Sequence, residues 1–360
     1  MKKFKLALKI FLACILLIIL VVAVYVAYVF ISYSRIEDNL QLEVAVEESL
    51  DGKSVIVDKE YTVVSQNLGF GAYTADFTFF MDGGKESRAR SAESVKSCIT
   101  KGAETVAGFA PDFILFQEVD LDSTRSHHID QLAMLDGLFG GYSYSSAINY
   151  DSAYLFYPIF SPHGASKSSI ATFSNVNITS SLRRSLPISD GISKILDLDR
   201  CYSVSRVPVE NGKELILYNV HTSAYGSDDS IRTAQLTMLF DDMKAEYEKG
   251  NYIVCGGDFN HDFTGDSSLK LNGDNSDYGW AQPFPDDLIP EGFSKCDSYD
   301  SDLLLPSCRN CDIPYKKGNY TIIVDGFFVS DNIECTFVEN VQTEFEYSDH
   351  TPVVMKFKLK

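Results

Sequence analysis

The chain has 360 residues, of which 45% are apolar and 12% aromatic, so it has the composition and length to form a large core rather than a disordered polymer. Acidic residues outnumber basic ones by 50 to 31, which gives a formal charge of −19. This balance argues against a protein that holds a polyanion on a basic surface, because such binding depends on lysine and arginine. It does not exclude an enzyme that acts on phosphates through bound cations.

The N-terminal residues predict a membrane anchor. A basic tail at 1–9, with lysines at 2, 3, 5 and 9, precedes a run without charged residues at 10–31. As a helix this run would be about 33 Å long, enough to cross the hydrocarbon core of a bilayer. A buried core helix and a secretory signal are the alternatives, but the run is long for either and no cleavage site is clear. The positive-inside rule then predicts a single-pass cell-membrane protein with its N-terminus inside and the rest outside.

The segment that follows, residues 32–59, is polar and acidic and predicts a juxtamembrane stalk. Beyond it the sequence contains no low-complexity segment, repeat or Pro/Gly-rich linker. Residues 60–360 are therefore expected to form one domain.

Short strands and two helical segments are predicted within this domain. The strands lie at 61–66, 112–118, 169–174, 202–209, 214–220, 251–255, 321–324, 336–338 and 352–357, and the helices at 91–108 and 230–249. Asn211-Gly212 predicts a hairpin turn. Because strands and helices alternate only partly, the pattern favours mixed sheets covered by helices over a strictly parallel, doubly wound fold.

Polar residues with useful chemistry follow several of the predicted strands. They are Asn67, Glu118, His221, Asp258 with Asn260, Asp325, and Asp349 with His350. Each alone could be a turn residue or a strand terminator, but a strand end also holds a side chain with little freedom, as a preorganised site requires. Carboxylate and amide oxygens favour a hard ion, Mg²⁺ or else Mn²⁺ or Ca²⁺, over zinc. Two histidines could serve as general acid and as a base or transition-state group.

These residues carry a resemblance to a known family. The motifs, in chain order, are Gln66-Asn67, Phe116-Gln-Glu118-Val119, Asn219-Val-His221, Gly257-Asp258-Phe-Asn260 and Ser348-Asp349-His350. Over about residues 60–358 the chain resembles the endonuclease/exonuclease/phosphatase superfamily, which includes deoxyribonucleases and neutral sphingomyelinases. The segment 169–178 is similar to its central strand, although Asn175 and Asn177 stand where a basic residue and a proline are usual. The resemblance implies an α/β fold, a four-layer sandwich of two mixed β-sheets flanked by helices.

The resemblance also implies a role for each site residue. Glu118 would be the main metal carboxylate, with Asn67 and Asp349 near the same ion.

The remaining matched residues would carry out the chemistry. Asp258 would orient or deprotonate the attacking water, and Asn260 would bind the phosphate or the metal. His221 would be a general acid or a phosphate ligand, and Asp325 would pair with His350.

We therefore expect a metal-dependent phosphoesterase that hydrolyses a phosphodiester on the outer side of a membrane. The substrate stays open between a nucleic acid and a phospholipid head group, with proximity to the bilayer favouring lipid. An inactive surface binding or adhesion module with the same fold is one alternative, and a phosphomonoesterase acting on a small molecule is another. No obligate protein partner is evident.

Two further groups of residues remain. Cys308 and Cys311, with Cys296 nearby, could form a disulfide or a metal site, although a fourth zinc ligand is not evident. The polar segment 125–128, which contains two histidines, is expected to be an exposed loop, and 81–84 a turn near the site.

Overall fold

The computed structural model describes residues 2–189, 191, 198–224, 229–273, 280, 282–296 and 304–360. The helices are α1 (Lys2–Ser32), α2 (Ala92–Ala107), α3 (Gln131–Leu138), α4 (Asp229–Tyr247) and α5 (Ser267–Asn272). The strands are β1 (Leu40–Leu42), β2 (Val44–Ala45), β3 (Glu60–Asn67), β4 (Phe113–Asp120), β5 (Ser143–Asp151), β6 (Lys167–Ser174), β7 (Ser180–Ser185), β8 (Cys201–Pro208), β9 (Glu214–His221), β10 (Tyr252–Asp258), β11 (Phe293–Lys295), β12 (Cys308–Arg309), β13 (Thr321–Ile322), β14 (Asp325–Ser330), β15 (Ile333–Asn340) and β16 (Val353–Leu359).

These strands form two mixed sheets and a small ribbon. The first sheet has the order β1-β7-β8-β9-β10-β14-β11, the second has the order β15-β16-β3-β4-β6-β5-β2, and β12 pairs with β13. Among the described strand pairs, β9–β10 and β3–β4 are parallel and the others are antiparallel. The predicted hairpin at Asn211-Gly212 is confirmed, since β8 and β9 pair antiparallel on either side of it.

The central strands are buried on both faces. One face of each sheet packs against the other sheet, and the opposite face packs against helices. In β9, Leu215 and Leu217 pack into the core between the two sheets, whereas Ile216 and Tyr218 pack against α4. The other sheet packs its outer face against α2 and α3. Each fully buried leucine or isoleucine stabilises this arrangement by about 1.5–3 kcal/mol. The predicted α/β fold of two mixed sheets flanked by helices is confirmed.

Helix α1 precedes this sandwich. It has 31 residues, its most apolar window has a mean hydropathy of 3.3, and none of that window is buried. Length and composition thus suit a membrane span, but a signal sequence would meet the same criteria. The basic tail, the anchor and its orientation stay predictions.

The acidic segment 32–59 belongs to the sheets over part of its length, contrary to the predicted stalk. Strand β1 pairs with β7 and β2 pairs with β5, while Val55 is buried and bridges to Val209. The sequence between residues 40 and 44 alternates apolar and polar side chains, as an edge strand does. The stalk prediction gave more weight to the acidic residues than to this alternation.

The cysteines form no disulfide. All eight are free, and Cys296, Cys308 and Cys311 are buried. The candidate pair at 308 and 311 is therefore reduced, and burial raises the pKa of Cys308 to about 12, which makes it a poor thiolate ligand or nucleophile.

Candidate active site

Three site residues lie at one edge of the first sheet. His221 and Asp258 end the parallel strands β9 and β10, so both side chains reach the same edge. Strand β14 runs antiparallel to β10 and begins at Asp325, which lies opposite Asp258. The sequence predicted that Asp325 would end a strand over 321–324. This prediction is wrong, because Asp325 begins β14, although the residue reaches the expected edge of the sheet.

The second sheet contributes the other residues. Asn67 ends β3, Glu118 lies near the end of β4, and Asp349 and His350 occupy the loop before β16. The hydroxyl of Ser348 donates a hydrogen bond to the backbone oxygen of Asn67 at 2.9 Å, which ties this loop to β3. Both sheets thus bring all of the predicted site residues to a single rim.

Glu118 owes its direction to a β-bulge. Its φ is 54°, and the register between β4 and β6 shifts between Phe116 and Val119. A bulge of this kind bends the strand and redirects a side chain. The neighbouring Gln117 points between the sheets, where its Nε2 donates to Asn219 Oδ1 at 2.8 Å. This buried bond fixes Glu118 relative to His221, two residues beyond Asn219.

His350 is held in a chain of charged groups. Its Nδ1 lies 2.8 Å from Asp325 Oδ2, and its Nε2 lies 3.8 Å from Asp258 Oδ2. Ser307 Oγ donates to the same Asp325 oxygen at 2.7 Å. Burial alone would lower the pKa of His350, but the Asp325 carboxylate outweighs burial and raises this pKa well above its usual value. His350 is therefore the protonated histidine of the site.

His221 is in the opposite electrostatic state. It is buried, with Nε2 at 3.5 Å from Asp258 Oδ2 and 4.0 Å from Glu118 Oε1. Burial, followed by the positive charge of Arg200, lowers the pKa of His221 well below its usual value, so the ring is neutral. The close approach of β9 to β10 requires Gly257, whose φ is 146°, because a Cβ there would lie 2.0 Å from the Val220 oxygen.

Two carboxyl groups, one on buried Asp258 and one on half-buried Asp349, have the chemistry that suits a divalent cation. Burial raises the pKa of Asp258 and that of Asp349 to about 7, with Asp325 repelling the first and Glu118 the second. A bound cation would favour the ionised forms of these acids. Their oxygens and that of Glu118 form a hard donor set, which fits Mg²⁺, Mn²⁺ or Ca²⁺.

The position of Asn67 differs from that of a metal ligand. Its Nδ2 donates to Asp258 Oδ2 at 3.1 Å and faces Glu118 Oε1 at 3.5 Å, while its Oδ1 accepts from Gly69 N at 2.9 Å. Asn67 would have to turn its amide to ligate a cation. Asp258, Asp325 and His350 each offer a ligand atom, and these atoms lie within 4.8 Å of one another, so this side of the rim is a further possible cation position.

A cavity of about 200 Å³ lies over the rim, and its walls include residues that the sequence analysis missed. Arg125, Arg200 and Arg309 all line it. Arg125 is paired with Asp120 at 2.8 Å, and Arg309 donates to the backbone oxygens of Thr74 and Phe77. Arg200 leaves two buried nitrogens, Nε and Nη1, without a hydrogen-bond partner among the described residues, and Arg309 leaves one, its Nε. No motif in the sequence distinguishes Arg200 from the other arginines.

The minor predictions fare differently. Met81 and Asp82 line the cavity, as expected of a turn near the site. The segment 125–128 is an exposed polar loop only at its end: His128 is exposed, but Arg125 is buried and its guanidinium lies 4.0 Å from the ring centre of Phe70. Asn260 also lines the cavity, and its Nδ2 donates to the Thr222 oxygen at 3.0 Å.

This geometry has a counterpart in a known family. The sequence profile of the endonuclease/exonuclease/phosphatase family matches residues 67–350, the span from the first site residue to the last. The chain belongs to this family. Members of the endonuclease/exonuclease/phosphatase family are hydrolytic phosphoesterases, so the predicted resemblance and the hydrolytic class are confirmed. Comparison with curated protein sequences gives no significant match.

Solved structures of the endonuclease/exonuclease/phosphatase fold resemble this chain. One from Beutenbergia cavernae DSM 12333 has a TM-score of 0.56 at 16% identity, covering 84% of this chain and 72% of that one. D. rerio TDP2, complexed with a single-strand DNA product, has a TM-score of 0.52 at 13% identity, covering 84% and 100%. ANGEL2, a 2′,3′-cyclic phosphatase, has a TM-score of 0.51 at 17% identity, covering 89% and 98%. At these identities the likeness establishes the fold.

Proposed function

We propose that the protein is a divalent-cation-dependent phosphodiesterase that hydrolyses its substrate on the outer side of a membrane. The observation that carries the proposal is the pairing of His350 with Asp325, with His350 Nε2 3.8 Å from Asp258 Oδ2. A protonated histidine beside a buried acid supplies both a proton donor and a proton acceptor at one point. The DNA product in the TDP2 complex and the cyclic phosphate specificity of ANGEL2 belong to those proteins, and both are compatible with this class.

The cation of this proposal is Mg²⁺, held by Glu118 and Asp349 with Asn67 beside them. When bound, it polarises a phosphoryl oxygen and stabilises the leaving group. This assignment rests on the oxygen donor set and on the raised pKa values of Asp258 and Asp349.

The proton acceptor is Asp258. Its Oδ1 accepts from the backbone nitrogen of Asn260 at 2.9 Å and its Oδ2 accepts from Asn67, so the carboxylate is fixed in orientation. Burial raises the pKa of Asp258 to about 7, which suits a group that takes a proton from water near neutral pH. Asn260, which lines the cavity, would contact the phosphate.

The two histidines divide the remaining work. His350 is protonated and donates to a phosphate oxygen or to the leaving oxygen, where negative charge develops. His221 is neutral, and a neutral imidazole keeps one N–H to donate, so it binds the phosphate rather than acting as the general acid.

The cations around the cavity favour a diester over a monoester. Arg125 is paired with Asp120 and Arg309 donates to backbone oxygens, so Arg200, with Nε and Nη1 both unpartnered among the described residues, has the most donors left to bind the substrate. A diester carries one negative charge at neutral pH, whereas a monoester carries close to two. Arg200, with the larger share of unpartnered donors, matches the single charge of a diester.

The full chain, purified in detergent, tests this proposal. DNA, RNA, phospholipid micelles, bis(p-nitrophenyl) phosphate and p-nitrophenyl phosphate are assayed with Mg²⁺, Mn²⁺ or Ca²⁺. We expect turnover of a diester that EDTA abolishes and that H350A reduces by about 10³-fold or more. H128A is the matched control, because His128 also contacts a carboxylate, Asp122, but lies outside the cavity. Absence of turnover with every substrate and ion would refute the proposal and favour a binding module.

The orientation is tested separately. Protease added to intact cells should digest the part of the chain beyond residue 32. Protection of residues 60–360 would place the domain on the inner side instead.

A further inference from the structure

One surface loop exposes a cluster of apolar side chains. Residues 154–160, here called the aromatic loop, lie between β5 and β6, and their most exposed members are Phe156 (56%), Tyr157 (69%), Ile159 (78%) and Phe160 (101%). The connecting segment 152–166 contains no charged residue. Contiguous apolar patches on a protein surface mark sites of interaction with a protein or a membrane.

The aromatic loop lies against helix α1. Tyr25 Oη donates to the Tyr154 oxygen at 3.1 Å, and the backbone nitrogens of Tyr154 and Phe156 donate to Tyr28 Oη and Tyr25 Oη at 3.2 and 3.3 Å. The rings of Tyr25 and Phe156 pack edge to face with centres 5.2 Å apart. Helix α1 ends at Ser32. The contact at Tyr25 therefore lies about 10 Å from that end, measured along the helix axis. The apolar surfaces of the helix and the loop are therefore continuous.

The same loop reaches the wall of the cavity. The ring centre of Tyr157 lies 5.7 Å from that of Phe80, whose neighbours Phe79 and Met81 line the cavity. Beyond the loop, His163 also lines the cavity, and its Nδ1 lies 3.0 Å from the Ser87 oxygen. If the aromatic loop binds to a surface, the cavity will therefore lie close to that surface.

We propose that the aromatic loop inserts into the outer leaflet of the bilayer that α1 crosses, so that the cavity opens towards phospholipid head groups. The substrate class is then a phosphodiester of a membrane lipid, an inference that rests on the proposed phosphodiesterase function. Tyrosine rings at the end of an apolar helix occupy the membrane interface, and interfacial elements bury their apolar side chains about 5–10 Å into the headgroup and acyl boundary. Contact with Tyr25 places the loop at that depth.

The charges favour a lipid surface over a nucleic acid. The loop offers no cation for a phosphate backbone, and the chain has a formal charge of −19. Apolar burial alone would drive insertion, so the loop should enter zwitterionic and anionic bilayers equally well.

Depth-dependent quenching tests the insertion directly. Full-length F160W is reconstituted into phosphatidylcholine vesicles whose acyl chains carry bromine, and the emission of the parent chain, which holds Trp280, is subtracted. F337W is the matched control, because Phe337 is also an exposed aromatic residue but lies on β15, at the opposite edge of the second sheet from β5. We expect quenching of the added tryptophan in F160W and not in F337W, unchanged when phosphatidylglycerol replaces half of the lipid.

Other fluorescence outcomes overturn the proposal. Equal, weak quenching of both tryptophans would show that the loop stays in water. A blue-shifted but unquenched F160W emission that depends on protein density would show that the loop packs against a second copy or another protein.

Activity tests the substrate class. The I159S/F160S variant and F337S are assayed in vesicles of phosphatidylcholine, phosphatidylethanolamine and sphingomyelin, and with bis(p-nitrophenyl) phosphate in solution. Because burying one such side chain shifts a partition equilibrium by roughly tenfold to a hundredfold, I159S/F160S should lose about that factor on lipid. Its rate with the soluble diester should match that of F337S and of the parent.

The two proposals fail in different ways. Hydrolysis of the soluble diester without hydrolysis of lipid refutes the lipid class and leaves the phosphodiesterase intact, as does an unchanged lipid rate in I159S/F160S. Hydrolysis of neither substrate by the parent refutes the phosphodiesterase and with it the lipid class, while the quenching result still decides whether the loop inserts.

Discussion

Replacing Asp325 with asparagine isolates the electrostatic part of the site. D325N keeps the shape of the side chain but removes the charge that lies 2.8 Å from His350 Nδ1. Two unit charges at that distance attract each other by about 6 kcal/mol at an effective dielectric constant of 20. Because this attraction is lost in D325N, the pKa of His350 should fall. Burial also lowers this pKa, so His350 would be neutral at pH 7.

The expected rate of D325N follows from the loss of protonated His350. If the reaction requires protonated His350, kcat/KM for a diester at pH 7 should fall by about 10³- to 10⁴-fold in D325N. The ratio of variant to parent should rise again as the pH is lowered towards 5, because protonation of His350 is restored.

The measurement is kcat/KM for bis(p-nitrophenyl) phosphate between pH 5 and pH 9, with circular dichroism to verify folding. S307A is the control: it removes the 2.7 Å hydrogen bond to Asp325 but keeps the charge, so it should cost about tenfold with a pH-independent ratio. A D325N rate within about threefold of the parent at every pH would refute the assigned role of His350.

Three further predictions follow from other contacts. E118Q should lower turnover about 100-fold and weaken apparent Mg²⁺ affinity about tenfold, measured by metal titration; unchanged affinity would exclude Glu118 as a ligand. R200M should raise KM for a diester about tenfold to 100-fold with a smaller effect on kcat, and an unchanged KM would show that Arg200 does not bind the phosphate. Burial acts to raise the pKa of Glu246, but hydrogen bonds from Arg206 and Lys249 outweigh burial and lower this pKa to about 2. The ionised group therefore stabilises the fold above about pH 4.5 and loses this effect as the pH falls towards 2, so in urea unfolding E246Q should cost about 2 kcal/mol at pH 7 and progressively less in acid. A pH-independent cost would contradict this assignment.

The site residues were predictable from sequence where the residue lies at the end of a strand. Asn67, His221 and Asp258 each end a strand, and an apolar run followed by a polar residue marks such a position. Asp325 reaches the same rim for a different reason, because it begins β14. The sequence around it is apolar on both sides, from Ile322 to Val329, so no local pattern shows whether a strand enters or leaves at Asp325.

Arg200 could not be predicted in the same way. Its role depends on which partners its nitrogens find in the folded chain, and the sequence does not show that Arg125 pairs with Asp120 while Arg200 leaves Nε and Nη1 unpartnered among the described residues. The bulge at Glu118 is also a tertiary feature, since it arises from the pairing of β4 with β6. The sequence therefore predicted which residue types form the site. It did not predict which side chains and strands pair with them in the folded chain.

The rim is divided between two sheets, and this division has a consequence for when the protein becomes active. His221, Asp258 and Asp325 come from one sheet, while Glu118 and His350 come from the other, the last of them from the loop before β16. A growing chain therefore lacks a complete set of reacting groups until His350 has been synthesised and β16 has paired with β3. We therefore expect a chain that stops before His350 to be inactive even where the first sheet is complete.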